Sequence, residues 1–321
     1  MPHRIGVDLG GTKIEAVLLA PDGAALARER AATPRGLYDE SLEAVSALVA
    51  RLESAAPASE RPISVGLGMP GTLSRATGLV KNANSTWLIG KPLDRDLARR
   101  LGRPVRIAND ADCFALAEAT DGAAAGRRNV FGAILGTGVG GGLVIEGRPI
   151  SGPNGIAGEW GHNPLPWADA QADPALACYC GKRGCIETYL SGPGLAAHHA
   201  ARAGAEMTPP EIVAAAETGD PAAEASLALY EDRLARALSH VINILDPEAI
   251  VLGGGLSNLA RLYEAVPRLW GRTVFSDSVL TALLPPMHGD SAGVRGAAWL
   301  WSDDEIAAGL VYEPPDRAAA P

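Results

Sequence analysis

Ile5-Gly6-Val7-Asp8-Leu9-Gly10-Gly11-Thr12-Lys13-Ile14 decides the fold. A short apolar run ends in an aspartate, two glycines turn the chain, and a second apolar run, Ile14–Ala20, follows at once. Both flanks read as strands, because each is a brief aliphatic run bounded by turn residues. A Walker loop or a dinucleotide fingerprint would instead pass from strand to helix with different glycine spacing. The glycines Gly10 and Gly11 let the backbone bend sharply and bring N–H groups close to an anion. Thr12 adds a hydroxyl donor, Lys13 a cation, and Asp8 a carboxylate suited to holding magnesium through water. An ordinary hairpin turn also accounts for two glycines, so this stretch alone leaves both readings open.

Outward from it, Pro21-Asp22-Gly23 signals a turn and Ala24–Ala31 a third strand. Tyr38–Leu52 carries Leu42, Val45, Leu48, Val49 and Leu52 at helical spacing. Ile63–Met69 and Val105–Ala108 read as strands, Leu93–Leu101 as a helix, and Asn109 to about Ala124 as a helix capped by Asn109 or Asp110. The same order then begins again: strand Asn129–Leu135, glycine loop Gly136–Gly142, returning strand Leu143–Glu146. Residues 147–191, rich in Gly, Pro and Cys, read as a functional insertion. Pro221–Leu245 is a long helix, Ala249–Leu252 a strand, Gly253–Gly255 a turn, and Ser257–Leu269 and Asp290–Trp301 are helices. The repetition lies in the order of elements and predicts two similar α/β domains with a cleft between them. The expected bounds are 1–120 and 121–289, with the helix at about 290–302 rejoining the first domain and an acidic, Pro/Ala-rich tail over 303–321.

Composition narrows the function. The 321 residues are 47% apolar and 20% charged, enough for two cores and too apolar for disorder. The net charge of −9 supplies no basic face for nucleic acid, so an anionic ligand needs local donors. No signal-peptide stretch and no membrane-length apolar run occurs, which points to a cytoplasmic protein. Three of the four cysteines fall within Cys178–Cys185, a spacing for metal rather than a disulfide framework.

Five further sites carry chemistry. Gly136-Thr137-Gly138-Val139-Gly140-Gly141-Gly142 repeats the phosphate device in the second half, and so many glycines together are costly for a plain turn. Gly253-Gly254-Gly255 ends the strand Ile250-Val251-Leu252 and suits close approach to a flat base, although a tight strand-to-helix turn is the simpler account. Asp110 at a helix N-terminus stays ionised and is placed to take a hydroxyl proton during phosphoryl transfer; a plain cap is the alternative. Cys178, Cys180 and Cys185 with His162 make a closed tetrahedral zinc set, pinning Glu159 and Glu187 toward a ligand whose hydroxyls they accept. A redox pair is the alternative, though Cys178 and Cys180 are too near for an easy disulfide. Gly68-Met69-Pro70-Gly71 and Lys81–Trp87, which includes Asn84, offer amide and indole groups usual in sugar contacts. Cys113 reads as core, and the remaining histidines as structural.

Taken in order, Asp8–Lys13, Gly68–Gly71, Asn109-Asp110, Gly136–Gly142, Glu159-Trp160-Gly161-His162, Cys178-Tyr179-Cys180-Gly181 through Glu187, and Gly253–Gly255 resemble the ROK family of sugar kinases and related repressors. The resemblance runs from Arg4 to about Trp301 and implies the actin-like ATPase (ribonuclease H-like) fold. It implies Asp110 as catalytic base; Gly71, Asn84, Asn109, Glu159, His162 and Glu187 as hexose-binding; Asp8, Gly10–Lys13, Gly136–Gly138 and Gly253–Gly255 as ATP-binding. His162, Cys178, Cys180 and Cys185 are implied as zinc ligands, one imidazole nitrogen on the metal and the other toward the sugar. ATP, Mg2+ and a structural Zn2+ follow as cofactors, and a homodimer as the assembly. Asp112 departs from the pattern, which commonly has asparagine there. Val80–Leu88 and Ala157–Trp167 are similar to bacterial fructokinases that also accept mannose, so transfer to the 6-hydroxyl of fructose is the expected reaction. N-acetylglucosamine, mannose and glucose are the alternative acceptors; N-acetylglucosamine kinases are similar in the helix from Asn109 to Glu118 but look different in those two stretches. A sugar-responsive repressor is the rival class, disfavoured because seven residues precede Asp8 and no basic recognition helix appears.

Overall fold

The structure is a computed structural model describing residues 2–310. The part of the expected tail over 311–321 lies outside the described residues. The described residues divide into two compact units: those up to 121, with 151–156 and those from 290 on, form unit one, and residues 122–150 and 157–289 form unit two.

Unit one is built on β1 (Arg4–Leu9), β2 (Lys13–Leu19), β3 (Ala25–Ala32) and β4 (Ser64–Met69). A two-stranded ribbon follows, β5 (Thr72–Leu73) with β6 (Val80–Lys81), and then β7 (Val105–Asn109). The sheet order is β3-β2-β1-β4-β7. β1–β2 and β2–β3 are antiparallel, while β1–β4 and β4–β7 are parallel. One face packs Ile5, Val7, Ile14 and Leu18 against Leu42, Val45, Leu48 and Leu52 of α1 (Tyr38–Ser54), which is the helical spacing read from the sequence. α2 (Leu93–Leu101) ends at Gly102 in the left-handed conformation, and α3 (Asp110–Thr120) begins where β7 stops.

The opposite face receives a late helix, Ala292–Ala298, preceded by a 3-10 turn over Gly289–Ser291. This is shorter than the predicted Asp290–Trp301. The helix lies directly on the strands because glycines leave room: a Cβ at Gly66 would sit 1.8 Å from the Ala297 carbonyl oxygen. Trp301 then fastens the chain by donating from Nε1 to the Val65 carbonyl at 2.8 Å.

Unit two repeats the plan. β8 (Val130–Leu135), β9 (Val139–Ile145), β10 (Arg148–Pro149), β11 (Ala249–Gly253) and β12 (Ala282–Leu284) form a sheet of order β10-β9-β8-β11-β12. Its β8–β9 pair is antiparallel and its β8–β11 and β11–β12 pairs parallel, matching unit one strand for strand. The described residues thus show two mixed five-stranded sheets of one topology. Helices α4 (Glu187–Leu190), α5 (Gly192–Ala203), α6 (Pro209–Glu217), α7 (Pro221–Leu245) and α8 (Leu262–Leu269) complete it. α7 is as predicted. α5 and α6 were not read, and α8 starts later than the predicted Ser257 because Gly255–Asn258 forms a 3-10 turn.

The glycine run of unit two is also corrected. Only Gly136–Gly138 is loop; Gly140, Gly141 and Gly142 belong to β9. Their smallness serves packing. A Cβ at Gly141 would meet the Phe131 ring at 2.7 Å and Trp160 at 2.9 Å, so the 158–162 segment lies flat on the strand. Trp160 donates from Nε1 to the Gly140 carbonyl at 2.8 Å and meets Phe131 edge to face at 5.6 Å.

Candidate functional site

In unit one the expected groups gather at the carboxyl ends of the parallel strands β1, β4 and β7, where open α/β sheets place their ligands. The register pairs Asp8 with Gly68 and Met69 with Asn109, so Asp8, Gly71 and Asp110 stand on one edge. Burial first, then the charges of Asp110 and Glu15, push the Asp8 pKa up to about 6 against the pull of Lys13. A carboxylate held that way, with a second one close by, fits a magnesium ion, whose dication would relieve both terms.

The hairpin Gly10–Lys13 is tied internally and by Thr33, the residue that follows β3. Gly10 donates its N–H to the Lys13 carbonyl at 3.1 Å, and Thr33 donates from Oγ1 to the Gly10 carbonyl at 2.8 Å. Thr12 and Lys13 are exposed. The Lys13 ammonium lies 2.8 Å from Glu15, a buried carboxylate that Arg28 and Arg30 also approach, at 3.2 and 2.9 Å. Burial would raise the Glu15 pKa, but hydrogen bonds from Lys13 and Arg30 outweigh it and hold the pKa below the usual range. Sequence reasoning missed Glu15; the signal was strand alternation, which puts residues 13 and 15 on one face.

Asn109 is the N-cap of α3: its Oδ1 accepts the Ala111 N–H at 2.8 Å, while Nδ2 donates to the Gly71 carbonyl at 3.1 Å. Both ends of the amide thus already have protein partners. Gly71 adopts φ +89° and a Cβ there would meet the Lys81 carbonyl oxygen at 2.6 Å, so the backbone path alone demands glycine. Asp110 is exposed, with Oδ1 accepting the Ala111 N–H at 2.9 Å. Asn84 is exposed on its loop.

In unit two His162, Cys178, Cys180 and Cys185 converge, their ligand atoms all within 4.8 Å of one another. Cys180 and Cys185 sulfurs are 3.6 Å apart, and His162 Nδ1 is 3.6 Å from Cys178 Sγ. Those separations fit a tetrahedron of thiolates and imidazole around zinc. Burial pushes the Cys185 thiol up to about 12 and raises Cys178, whereas the Lys182 N–H draws Cys180 down. Packing thiols this closely costs free energy that a bound dication offsets by stabilising thiolates. His162 Nε2 is 3.0 Å from the Tyr179 hydroxyl, so in this structure the nitrogen expected to face sugar has a protein partner.

Glu187 opens α4 with Oε2 accepting the Val139 N–H at 3.0 Å, so it touches the Gly136–Val139 hairpin as well as Cys178 of the cluster. Glu159 is exposed beside the short 3-10 turn Trp160–His162. Gly254 has φ +80°, and a Cβ there would lie 2.4 Å from the Leu135 carbonyl oxygen, so the ends of β8 and β11 touch.

Next to them opens a cavity of about 1160 Å3. Gly136, Thr137 and Gly255 line it, with an apolar wall from Ala196, Val213 and Leu259; Gly138, Gly253 and Gly254 do not line it. Glu206, Glu211 and Glu217 also line it, and an apolar wall of this kind suits a flat base. The wall from α5 and α6 was missed because both helices are alanine-rich and weakly periodic. Their caps were legible: Ser191 caps α5, and Thr208 with Glu211 forms a capping box on α6.

Two sheets of one mixed topology, each with a glycine hairpin at its ligand-facing edge, define the actin-like ATPase fold. The ROK family model matches residues 4–304, and the chain belongs to the ROK family. It is 42% identical over 305 residues to an N-acetyl-D-glucosamine kinase of Escherichia coli, covering 93% of this chain and 99% of that one. It is 38% identical over 299 residues to an N-acetyl-D-glucosamine kinase of Photobacterium profundum, covering 92% and 98%. Among solved structures it resembles a ROK hexokinase from Thermus thermophilus (TM-score 0.83, 31% identity, 96% of this chain and 100% of that one). It also resembles a ROK glucokinase from Streptomyces griseus solved with glucose and AMPPNP (TM-score 0.68, 29% identity, 93% and 98%).

Among the described residues, no helix is long and apolar enough to cross a membrane.

Proposed function

We propose that this protein transfers the γ-phosphoryl group of ATP to the 6-hydroxyl of N-acetyl-D-glucosamine. The observation that carries the acceptor is the likeness, across 92–93% of the chain, to proteins named for that sugar, at 38% and 42% identity. The fructose expectation drawn from Val80–Leu88 and Ala157–Trp167 finds no support among these relatives, and the acetamido sugar replaces it. Those stretches misled because several of their side chains serve packing: Trp160 is spent on Gly140 and Phe131, and Leu88 is buried in the unit-one core.

In this reading Asp110, at the start of α3, accepts the proton of the attacking hydroxyl. Asp8 would hold a magnesium ion through water, and such an ion would supply charge neutralisation for the phosphates. Gly10–Lys13 in unit one and Gly136–Gly138 in unit two supply backbone donors to phosphate oxygens, and the α5–α6 cavity takes the nucleoside. Glu159 and Glu187 accept sugar hydroxyls, and the zinc cluster fixes the loop that bears them. The deciding test is a coupled ADP-release assay with MgATP against N-acetylglucosamine, glucose, mannose and fructose in parallel. A kcat/KM for N-acetylglucosamine at least about tenfold above the others is expected, the margin a few acetamido contacts provide. A preference for fructose would restore the earlier expectation, and turnover of none would overturn the kinase reading.

A further inference from the structure

The short segment Cys185–Gly192 touches the hairpin Gly136–Val139 at both of its ends. Glu187 accepts the Val139 N–H at 3.0 Å, and Gly192 donates its own N–H to the Gly136 carbonyl at 2.8 Å. Between the two contacts runs α4, a single turn whose Tyr189 and Leu190 are buried in the unit-two core. At the segment's start stands Cys185, 1% exposed and within the four-residue metal cluster. The Ile186 N–H donates to Asn163 at 2.8 Å, tying the same segment to the residue after His162. The hairpin itself has little to stiffen it: three residues, Gly-Thr-Gly, with a single internal Gly136 N–H to Gly138 carbonyl bond of 3.0 Å. Two glycines in three positions leave the loop free to sample many conformations unless something outside it chooses one.

We propose that Cys185–Gly192 is the strut that sets the geometry of the phosphate loop in unit two. Glu187 and Gly192 act as positioning residues for the phosphoryl donor, and the metal cluster anchors the strut. The inference rests on the reading of Gly136–Gly138 as a phosphate loop and extends it, since the resemblance to known kinases assigns Glu187 to the sugar alone. One carboxylate oxygen of Glu187 is spent on the loop and the other lies 3.9 Å from Cys178 Sγ, so the side chain spans cluster and loop. Removing it leaves the Val139 N–H without that acceptor and the hairpin held at one end only.

The test is nucleotide binding in the absence of any sugar, which a purely sugar-binding Glu187 would leave unmoved. MgADP is titrated calorimetrically into the parent protein and into Glu187→Ala, with zinc content measured in both. The variant is expected to keep its zinc and lose at least about tenfold in MgADP affinity, the scale of a lost hydrogen bond to a charged group. An unchanged Kd in a zinc-loaded variant overturns the proposal. Should Glu187→Ala fail to fold, Glu187→Asp serves: it keeps the charge but draws the carboxylate back from Val139, and the same loss is expected. If the parent itself binds no MgADP, the phosphate-loop reading is the part that fails, and the strut falls with it.

Discussion

The two glycine hairpins occupy the same place in the same sheet topology, yet they are held in different ways. Gly10–Lys13 is braced by Thr33, the residue that follows β3, and is surrounded by charge: Asp8, Lys13 and Glu15. Gly136–Gly138 is braced from outside the sheet by Glu187 and Gly192, beside a cluster of soft ligands. One sheet topology thus carries the same backbone device twice, each with its own support. Titratable charge gathers around the first hairpin, and backbone and carboxylate contacts from a neighbouring segment hold the second.

The sharpest way to break this division is Asp110→Asn. If charge near the first hairpin performs the chemistry, kcat falls by about 10^2–10^4 while sugar and MgADP still bind, because only the proton acceptor is lost. Steady-state kinetics beside calorimetry decides it; turnover within about tenfold of the parent would remove Asp110 as base.

The next largest effect belongs to the second hairpin's anchor. Metal analysis of the parent is expected to give about one zinc per chain. Cys185→Ser is expected to lose it and to destabilise the protein by about 3 kcal/mol or more, as loss of a structural metal does. Thermal unfolding with and without added zinc measures this. A zinc-free parent whose three clustered thiols react at once with a thiol reagent would contradict it.

These two regions also differ in how much the sequence disclosed. The strands, the hairpin after Asp8 and the cap at Asn109 follow from local rules, short aliphatic runs and turn residues, that act within a few positions. The metal ligands were legible for the same reason, since three of them lie within eight positions. What stayed hidden depends on contacts distant in sequence. Gly140–Gly142 read as loop because their reason, the Trp160 ring laid against β9, lies some twenty residues on. The bond from the Asn109 amide to the Gly71 carbonyl, 38 positions back, has no sign in the sequence. Glu187 gives no sign in the sequence that it reaches Val139, 48 positions back. Substrate choice was least legible, because it turns on a few hydrogen bonds rather than on any pattern.

Asp8→Asn probes the charge around the first hairpin in magnesium-free protein. A carboxyl whose pKa rises from 3.8 to about 6 on folding keeps its proton when the unfolded chain has already released it. The native state therefore loses stability as pH rises from about 4 to about 6, and above that the cost is full. Two units or so correspond to at most about 3 kcal/mol, and partial exposure makes about 1–2 kcal/mol the expected figure. The asparagine variant lacks this term. Its melting temperature is expected to match the parent's near pH 4 and exceed it at pH 7.5, although its activity falls. A constant difference across that range would show that Asp8 does not titrate in this window.

The smallest effect tests the comparison most directly. Thr33→Val keeps shape and the backbone bond from the Thr33 N–H to the Thr12 carbonyl at 3.0 Å, and deletes only the hydroxyl that reaches Gly10. About 1 kcal/mol of stability and a rise of about two- to fivefold in the KM for MgATP are expected, the scale of one lost neutral hydrogen bond. Because the brace carries no charge, the loss should be smaller than that of Glu187→Ala. Combining the two substitutions then asks whether each hairpin answers only to its own support. Effects on MgADP binding that add within about 0.5 kcal/mol mean two independent braces. A larger coupling means that the nucleotide senses both hairpins as one unit, and the division drawn between them would have to be given up.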